Sequence, residues 1–220
     1  MKWVYNTRAS TILYSYLLKN KGDGLWMIPV NVCHLIPACF IKADCPFEII
    51  DVNKKTLAID ENIVLQKLLK NPNKYSGILT VRNYGKETGQ VSFFSKIKKL
   101  TPHLKIIDDA CLGYPDFNIQ LPKEVNLELY STGYSKAVDI VYGGFGKIPD
   151  DDFLENITDL NYDEKSLVKM NQHYIDAMND STHIHKEYFK SNWLNSESID
   201  VNNYKKEVNI FFPKAQSHKT

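Results

Sequence analysis

An α/β fold, with a mainly parallel sheet sandwiched by helices, is what the sequence predicts, and three observations predict it. Short apolar, β-rich runs alternate with amphipathic stretches of about ten residues, the pattern of parallel strands joined by crossover helices. Turn formers punctuate the joins: Gly22-Asp23-Gly24, Asn71-Pro72-Asn73, Gly85 and Thr101-Pro102. One apolar run, Ile106-Ile107, ends in the carboxylates Asp108-Asp109. In open α/β sheets that C-terminal end is where ligands sit.

Taken in order, Ala9, Ile12, Leu13, Tyr16 and Leu17 recur at helical spacing and predict a helix over Arg8–Leu18, with Asn6 or Thr7 as its cap. Its free N–H groups and positive dipole end suit a phosphate, although an ordinary capped helix explains the same residues. Leu25–Pro29 reads as a strand, Val32–Ile41 as a helix and Glu48–Val52 as a strand. A helix from about Glu61 to Lys70 follows, capped by Asp60, with Val64, Leu65, Leu68 and Leu69 facing inward. Gly77–Val81 is a strand, Val91–Leu100 a helix and Leu104–Asp108 a strand. No G-x-G-x-x-G run exists, which argues against a dinucleotide-binding fold.

After Pro149 the texture changes. Asp150-Asp151-Asp152 opens an acidic connector, a helix is expected from about Tyr162 to Met178, and the polar run Ser181–Lys190 follows. A short apolar run, Val208–Pro213, precedes a tail that should fray. The expected division is a large domain over 1–149 and a small α-rich appendage over 150–220.

The 220 residues allow one sizeable domain or one and a half, and a domain of this size buries roughly 70% of its unfolded surface. A net charge of +1, with both signs interspersed, argues against a nucleic-acid or anionic-membrane partner. No apolar run approaches the ~20 residues of a membrane span, and the N-terminus lacks a signal-peptide apolar region. Cys33, Cys39, Cys45 and Cys111 lack zinc-ligand spacing, so reduced thiols in a cytoplasmic protein are expected. His183 and His185 alone make a poor metal site, and none is expected.

Chemistry concentrates between Leu129 and Gly146, L-Y-S-T-G-Y-S-K-A-V-D-I-V-Y-G-G-F-G. Ser131 stands five residues before Lys136, and Gly143-Gly144 begins seven residues after it. Glycines let backbone approach a ligand or another chain closely. A hydroxyl can hold an anion, and a neutral lysine can form a Schiff base with an aldehyde cofactor. The bland alternative is a solvated turn.

Strand, Asp-Asp-Ala, serine, lysine and Gly-Gly, in this order and spacing, resemble the DegT/DnrJ family of aminotransferases dependent on pyridoxal 5'-phosphate (PLP), over about residues 6–148. Thr7-Arg8-Ala9-Ser10, Gly22-Asp23 with Pro29, Glu48–Leu57 and Arg82-Asn83-Tyr84-Gly85 follow the family's order as well. The resemblance implies the large domain of fold-type-I transferases, with PLP as cofactor. It implies Lys136 as the Schiff-base lysine and proton shuttle, and Asp109 as partner of the pyridine nitrogen. Ser131 would bond the phosphate and the Arg8-Ala9 backbone would grip it, while Asp108 would cap a turn or bond a backbone amide. The implied reaction moves an amino group from an amino-acid donor, glutamate in the family, to a keto sugar on a nucleotide, for cell-surface polysaccharide or related sugar biosynthesis. Family sites form between subunits, which implies a homodimer.

Some positions depart from that pattern. Leu112 replaces a Gln or His near the ring, and Cys33 replaces an aromatic that stacks on it. The second domain, with its Asn-Tyr-Arg-type motif, has no match. These departures support an alternative, a truncated and catalytically impaired or inactive member acting as a binding or assembly module. Dehydratase relatives carry a histidine in place of the lysine, and Lys136 argues against that chemistry.

Overall fold

A run of apolar residues flanked by breakers has few ways to satisfy its backbone, and here most such runs pair side by side in one sheet. The computed structural model describes residues 1–83, 90–114, 117–133, 136–152, 154, 157 and 200–217. The strands are β1 (Lys2–Asn6), β2 (Leu25–Pro29), β3 (Phe47–Ile50), β4 (Tyr75–Val81), β5 (Lys105–Asp109), β6 (Leu127–Ser131) and β7 (Gly144–Ile148). They lie in the order β1-β7-β6-β5-β4-β2-β3. The pairs from β3 to β6 are parallel, and β7 joins both β6 and β1 antiparallel. The fold is therefore α/β with a mainly parallel sheet, as the alternation of runs predicts.

Helices α1 (Ala9–Lys19) and α2 (Leu35–Lys42) cover one face, packing Ile12, Leu13, Tyr16 and Phe40 onto Trp26, Leu79, Ile107 and Leu129. On the other face α3 (Glu61–Lys70) and α4 (Gln90–Leu100) pack Val64, Leu68, Phe93 and Phe94 onto Met27, Ile78 and Ile106. Strands buried on both sides read as continuous apolar runs, which is why L-W-M-I-P does not alternate.

The sequence places β2 and α3 residue for residue. Asp60 caps α3 as expected, accepting from the N–H groups of Asn62 at 2.9 Å and Ile63 at 3.3 Å. Its inward line is narrower than predicted. Val64 and Leu68 are buried, Ile63 and Leu65 flank them, and Leu69 is 66% exposed, a further 100° around the helix. Helix α2 starts at Leu35 rather than Val32 because Pro37 has no N–H to donate and fits only in a first turn. Strand β3 ends at Ile50, and Val52 forms an isolated bridge with Ile59. The acidic connector is anchored at its third residue: Asp152 is buried, accepting from Tyr16 Oη at 2.8 Å and Lys105 Nζ at 3.0 Å, while Asp150 and Asp151 are exposed.

Strand β1 and a C-terminal helix are among the elements that the predicted pattern leaves unmarked. Strand β1 alternates Trp3 and Tyr5 on one side with Val4 and Asn6 on the other. The apolar run at Val208 belongs to a helix, α5 (Val201–Ser217), whose start is capped by Asp200 accepting from Asn202 and Asn203 N–H at 2.9 and 3.1 Å. Tyr204 and Val208, one turn apart and fully buried, seat α5 against Tyr130, Phe145, Trp3 and Tyr5. The expected Tyr162–Met178 helix, His183 and His185 lie outside the described residues. Among the described residues no helix is long and apolar enough to cross a membrane, and no His/Cys/Asp/Glu group could hold a metal ion.

Candidate active site

Period-two alternation sends the adjacent carboxylates of β5 to opposite faces of the sheet. Asp109 lies in the register row Val81–Asp109–Leu129–Gly146–Val4, on the face covered by α1. Two residues further along β6 on the same face, Ser131 pairs with Gly144 of β7, which pairs in turn with Asn6 of β1. Chain reversal after Asn6 then brings the N-terminus of α1 down onto this row.

The approach is closer than any side chain allows. A Cβ on Gly144 would stand 2.0 Å from Ala9 N and 2.4 Å from Ala9 Cα. Arg8, extended at φ −152° and ψ 152°, bridges in parallel to Gly143, which adopts φ +95° and so favours glycine. The predicted cap is not made. Arg8 is the N-cap residue without a side-chain hydrogen bond to the helix, and Asn6 Oδ1 accepts instead from Thr7 N at 2.7 Å and Thr7 Oγ1 at 2.9 Å. The α1 N-terminus is thus left without a side-chain cap, directly against Gly144, with the half-buried Ser131 in register beyond it. Ser131 Oγ accepts from Gly133 N at 3.3 Å. The Arg8 side chain is exposed and Ala9 is buried.

Asp109 is buried, and its carboxylate accepts from Cys111 N at 2.9 Å. Burial raises its pKa above the ordinary carboxylate value, opposed by the Cys111 thiol, by that backbone hydrogen bond and by the positive charge of Lys136. Lys136 is half-buried, with its N–H on Gly133 O at 3.3 Å. Its ammonium also acts on Cys111, whose thiol burial pushes well up, and on Cys33. A hydrogen bond from His34 draws the Cys33 thiol below its usual value. Ser131, Asp109, Lys136 and the α1 terminus therefore gather at the C-terminal end of β5 and β6, with Cys33 and His34 beside them. Leu112 is 39% exposed.

Asp108, expected to cap a turn or bond a backbone amide, instead bonds the side chains of Thr80 and Arg82. Its row is Thr80–Asp108–Glu128–Lys147 on the opposite face, closed by Arg82. Arg82 donates to Asp108 Oδ2 from Nε at 2.9 Å and Nη2 at 2.6 Å, and pairs with Glu128 as well. Glu128 Oε2 faces Lys147 Nζ at 3.3 Å without a well-directed hydrogen bond. Lys147 spends a donor on Ile119 O at 3.1 Å and lies 5.1 Å from the Trp3 ring centre. No local signal marks this cluster, because parallel strands bring together residues 26 and 46 positions apart.

Many solved structures share this fold, three of them with the following similarity. The sugar aminotransferase CalS13 from Micromonospora echinospora is 19% identical, with a TM-score of 0.58 over 68% of this chain and 42% of that one. GDP-4-keto-6-deoxy-D-mannose-3-dehydratase from E. coli, solved with bound hydrated PLP, is 18% identical, with a TM-score of 0.56 over 68% and 40%. NtdA from Bacillus subtilis, solved with the cofactor PMP bound, is 18% identical, with a TM-score of 0.57 over 69% and 34%. No protein-family model matches the chain, and no curated protein matches it. The fold is that of the large domain of fold-type-I PLP transferases, and the chain covers less than half the length of these three structures.

Proposed function

We propose that this chain is the cofactor-binding part of a PLP-dependent aminotransferase of the DegT/DnrJ type, acting on a keto sugar carried by a nucleotide. The observation that carries the reading is the convergence of an uncapped helix terminus, Gly144, Ser131, Asp109 and the Lys136 charge at one end of the sheet. These residues fit the cofactor. A phosphate is favoured by free helix N–H groups and the dipole, and the missing Cβ at Gly144 admits the α1 backbone at the closeness such a cradle needs. Ser131 would add a hydroxyl donor to the phosphate. When bound, PLP supplies an aldehyde that takes up an amino group and a ring that withdraws electrons from it.

The chain's own residues do the rest. Asp109 would hold a proton on the ring nitrogen, and that cation would offset the burial that raises the Asp109 pKa. Lys136 would anchor the aldehyde carbon and move a proton at Nζ between substrate atoms. Residues 1–149 would serve as the cofactor domain, with 150–220 as a separate C-terminal region. Self-association belongs to the same reading, supported by apolar side chains exposed near the site, Leu112 at 39% and Val141 at 77%.

A second reading has its own support. With Cys33 in place of a stacking aromatic and Leu112 in place of a polar partner, the chain would bind the cofactor loosely or not at all and serve as an assembly module. Adding L-glutamate to PLP-loaded protein separates the two. The aminotransferase reading expects the visible cofactor band to be lost with stoichiometric release of 2-oxoglutarate. A band that glutamate leaves unchanged, or its absence from the start, favours the module.

A further inference from the structure

We infer that Tyr204, on α5, is a positioning residue for Lys136 and Ser131, acting through Thr132; this rests on the cofactor reading above. Thr132 follows Ser131 directly and is fully buried. Its hydroxyl lies 2.6 Å from Tyr142 O and 2.6 Å from Tyr204 Oη. A carbonyl oxygen only accepts, so Thr132 spends its proton on Tyr142, and Tyr204 must donate to Thr132. The direction of the relay is thereby fixed, from α5 through Thr132 to Tyr142.

Thr132 and Tyr142 bracket the segment that carries Lys136, and the backbone ties them as well. Thr132 N donates to Gly143 O at 3.2 Å, and Ile140 N to Thr132 O at 2.8 Å. Gly143 N donates in turn to Thr7 O at 2.8 Å, so the same knot reaches the start of α1. The Tyr204 ring lies on the Gly143 α-carbon, where a Cβ would meet it at 2.2 Å. Three residues beyond Tyr204, Glu207 accepts from Tyr142 Oη at 2.6 Å. Helix α5 thus grips both ends of the lysine segment through side chains 65 and 72 residues away in the chain. The loss of one buried donor should loosen these ends while leaving the ring packed on Gly143.

Tyr204→Phe tests this in the full chain, with two readouts. Hydrogen exchange at the Thr132, Ile140 and Gly143 amides should quicken about fivefold to tenfold, while Ile78 in β4 stays unchanged. A lost hydrogen bond of ordinary strength gives a factor of this size. At saturating PLP, borohydride trapping at Lys136 should slow by a similar factor. Thr132→Ser, which keeps the hydroxyl, should behave as the unmodified chain in both assays. Thr132→Val should mimic Tyr204→Phe, and combining the two should add little. Unchanged exchange in Tyr204→Phe, or faster exchange throughout the sheet, overturns the inference. If the unmodified chain takes no label, the cofactor reading falls, while the exchange data still decide whether Tyr204 fixes the segment.

Discussion

Asp108 and Asp109 are the same residue type, adjacent in the chain and both buried, yet they occupy opposite kinds of environment. Asp108 faces a closed cluster in which Arg82 and Lys147 meet Asp108 and Glu128, charge for charge. Asp109 shares its row with Val81, Leu129, Gly146 and Val4. Among the described residues it accepts from the Cys111 backbone N–H and from the Cys111 thiol, and feels the charge of Lys136. The difference teaches how the two faces are used. A buried charge with its partners in place is committed to structure, whereas a buried charge short of a cation is available to a ligand that brings one.

Arg82→Ala should break the comparison most severely. It would leave Asp108 and Glu128 buried without their shared guanidinium, and cost about 3–5 kcal/mol in urea unfolding. A midpoint within error of the unmodified chain would mean that the cluster does not hold the fold. Asp109→Asn should do the reverse. Stability should change by less than about 1 kcal/mol. Transamination at saturating PLP should fall about a hundredfold, some 2.7 kcal/mol of barrier. Equal turnover in the two proteins would remove the assigned role.

Gly144→Ala should be intermediate, with both properties affected, since its Cβ must push the α1 terminus away. A cost of about 2 kcal/mol is expected, with weakened PLP binding by titration. Retention of both would show that α1 can shift without loss.

The smallest effect concerns pH. Burial, opposed mainly by Arg82, pushes Asp108 up from 3.8 to about 6. Its pKa is raised on folding, so the stability it contributes is fully present below 3.8 and is lost as pH rises through about 6. Asp108→Asn should flatten that decline in unfolding midpoints measured across this range. Glu48 gives the opposite limb. Lys67, with help from Tyr75 and Lys74, holds its carboxyl at about 2, below the ordinary 4.5, so its contribution is lost as pH falls between these values. A profile in Asp108→Asn parallel to that of the unmodified chain would exclude Asp108 as the source of the decline.

Much of this was legible in the sequence where a signal is local. The Asp60 cap and the breakers around Leu25–Pro29 mark α3 and β2 at both ends. The order of Asp109, Ser131 and Gly144 singles out residues that the sheet carries on one face, although order alone cannot show that Ser131 and Gly144 are in register. Nonlocal pairings stayed hidden. Arg82 reaches Glu128 across 46 positions, and nothing at either residue announces the other. Helix α5 has a usable signal, Asp200 as cap with Tyr204 and Val208 at i, i+4, but the denser apolar run that starts at Val208 masks it. In β1, two aromatics alternating with Val4 and Asn6 were the sign of an edge strand.

In the function proposed above, the Asp109 face, and not the Asp108 face, would receive PLP through Lys136. Borohydride reduction of PLP-loaded protein, followed by peptide mapping, tests it most directly. One modified residue is expected, Lys136, with the label lost in Lys136→Ala while the unfolding midpoint is kept. Label on any other lysine, above all Lys147 beside Glu128, would contradict it.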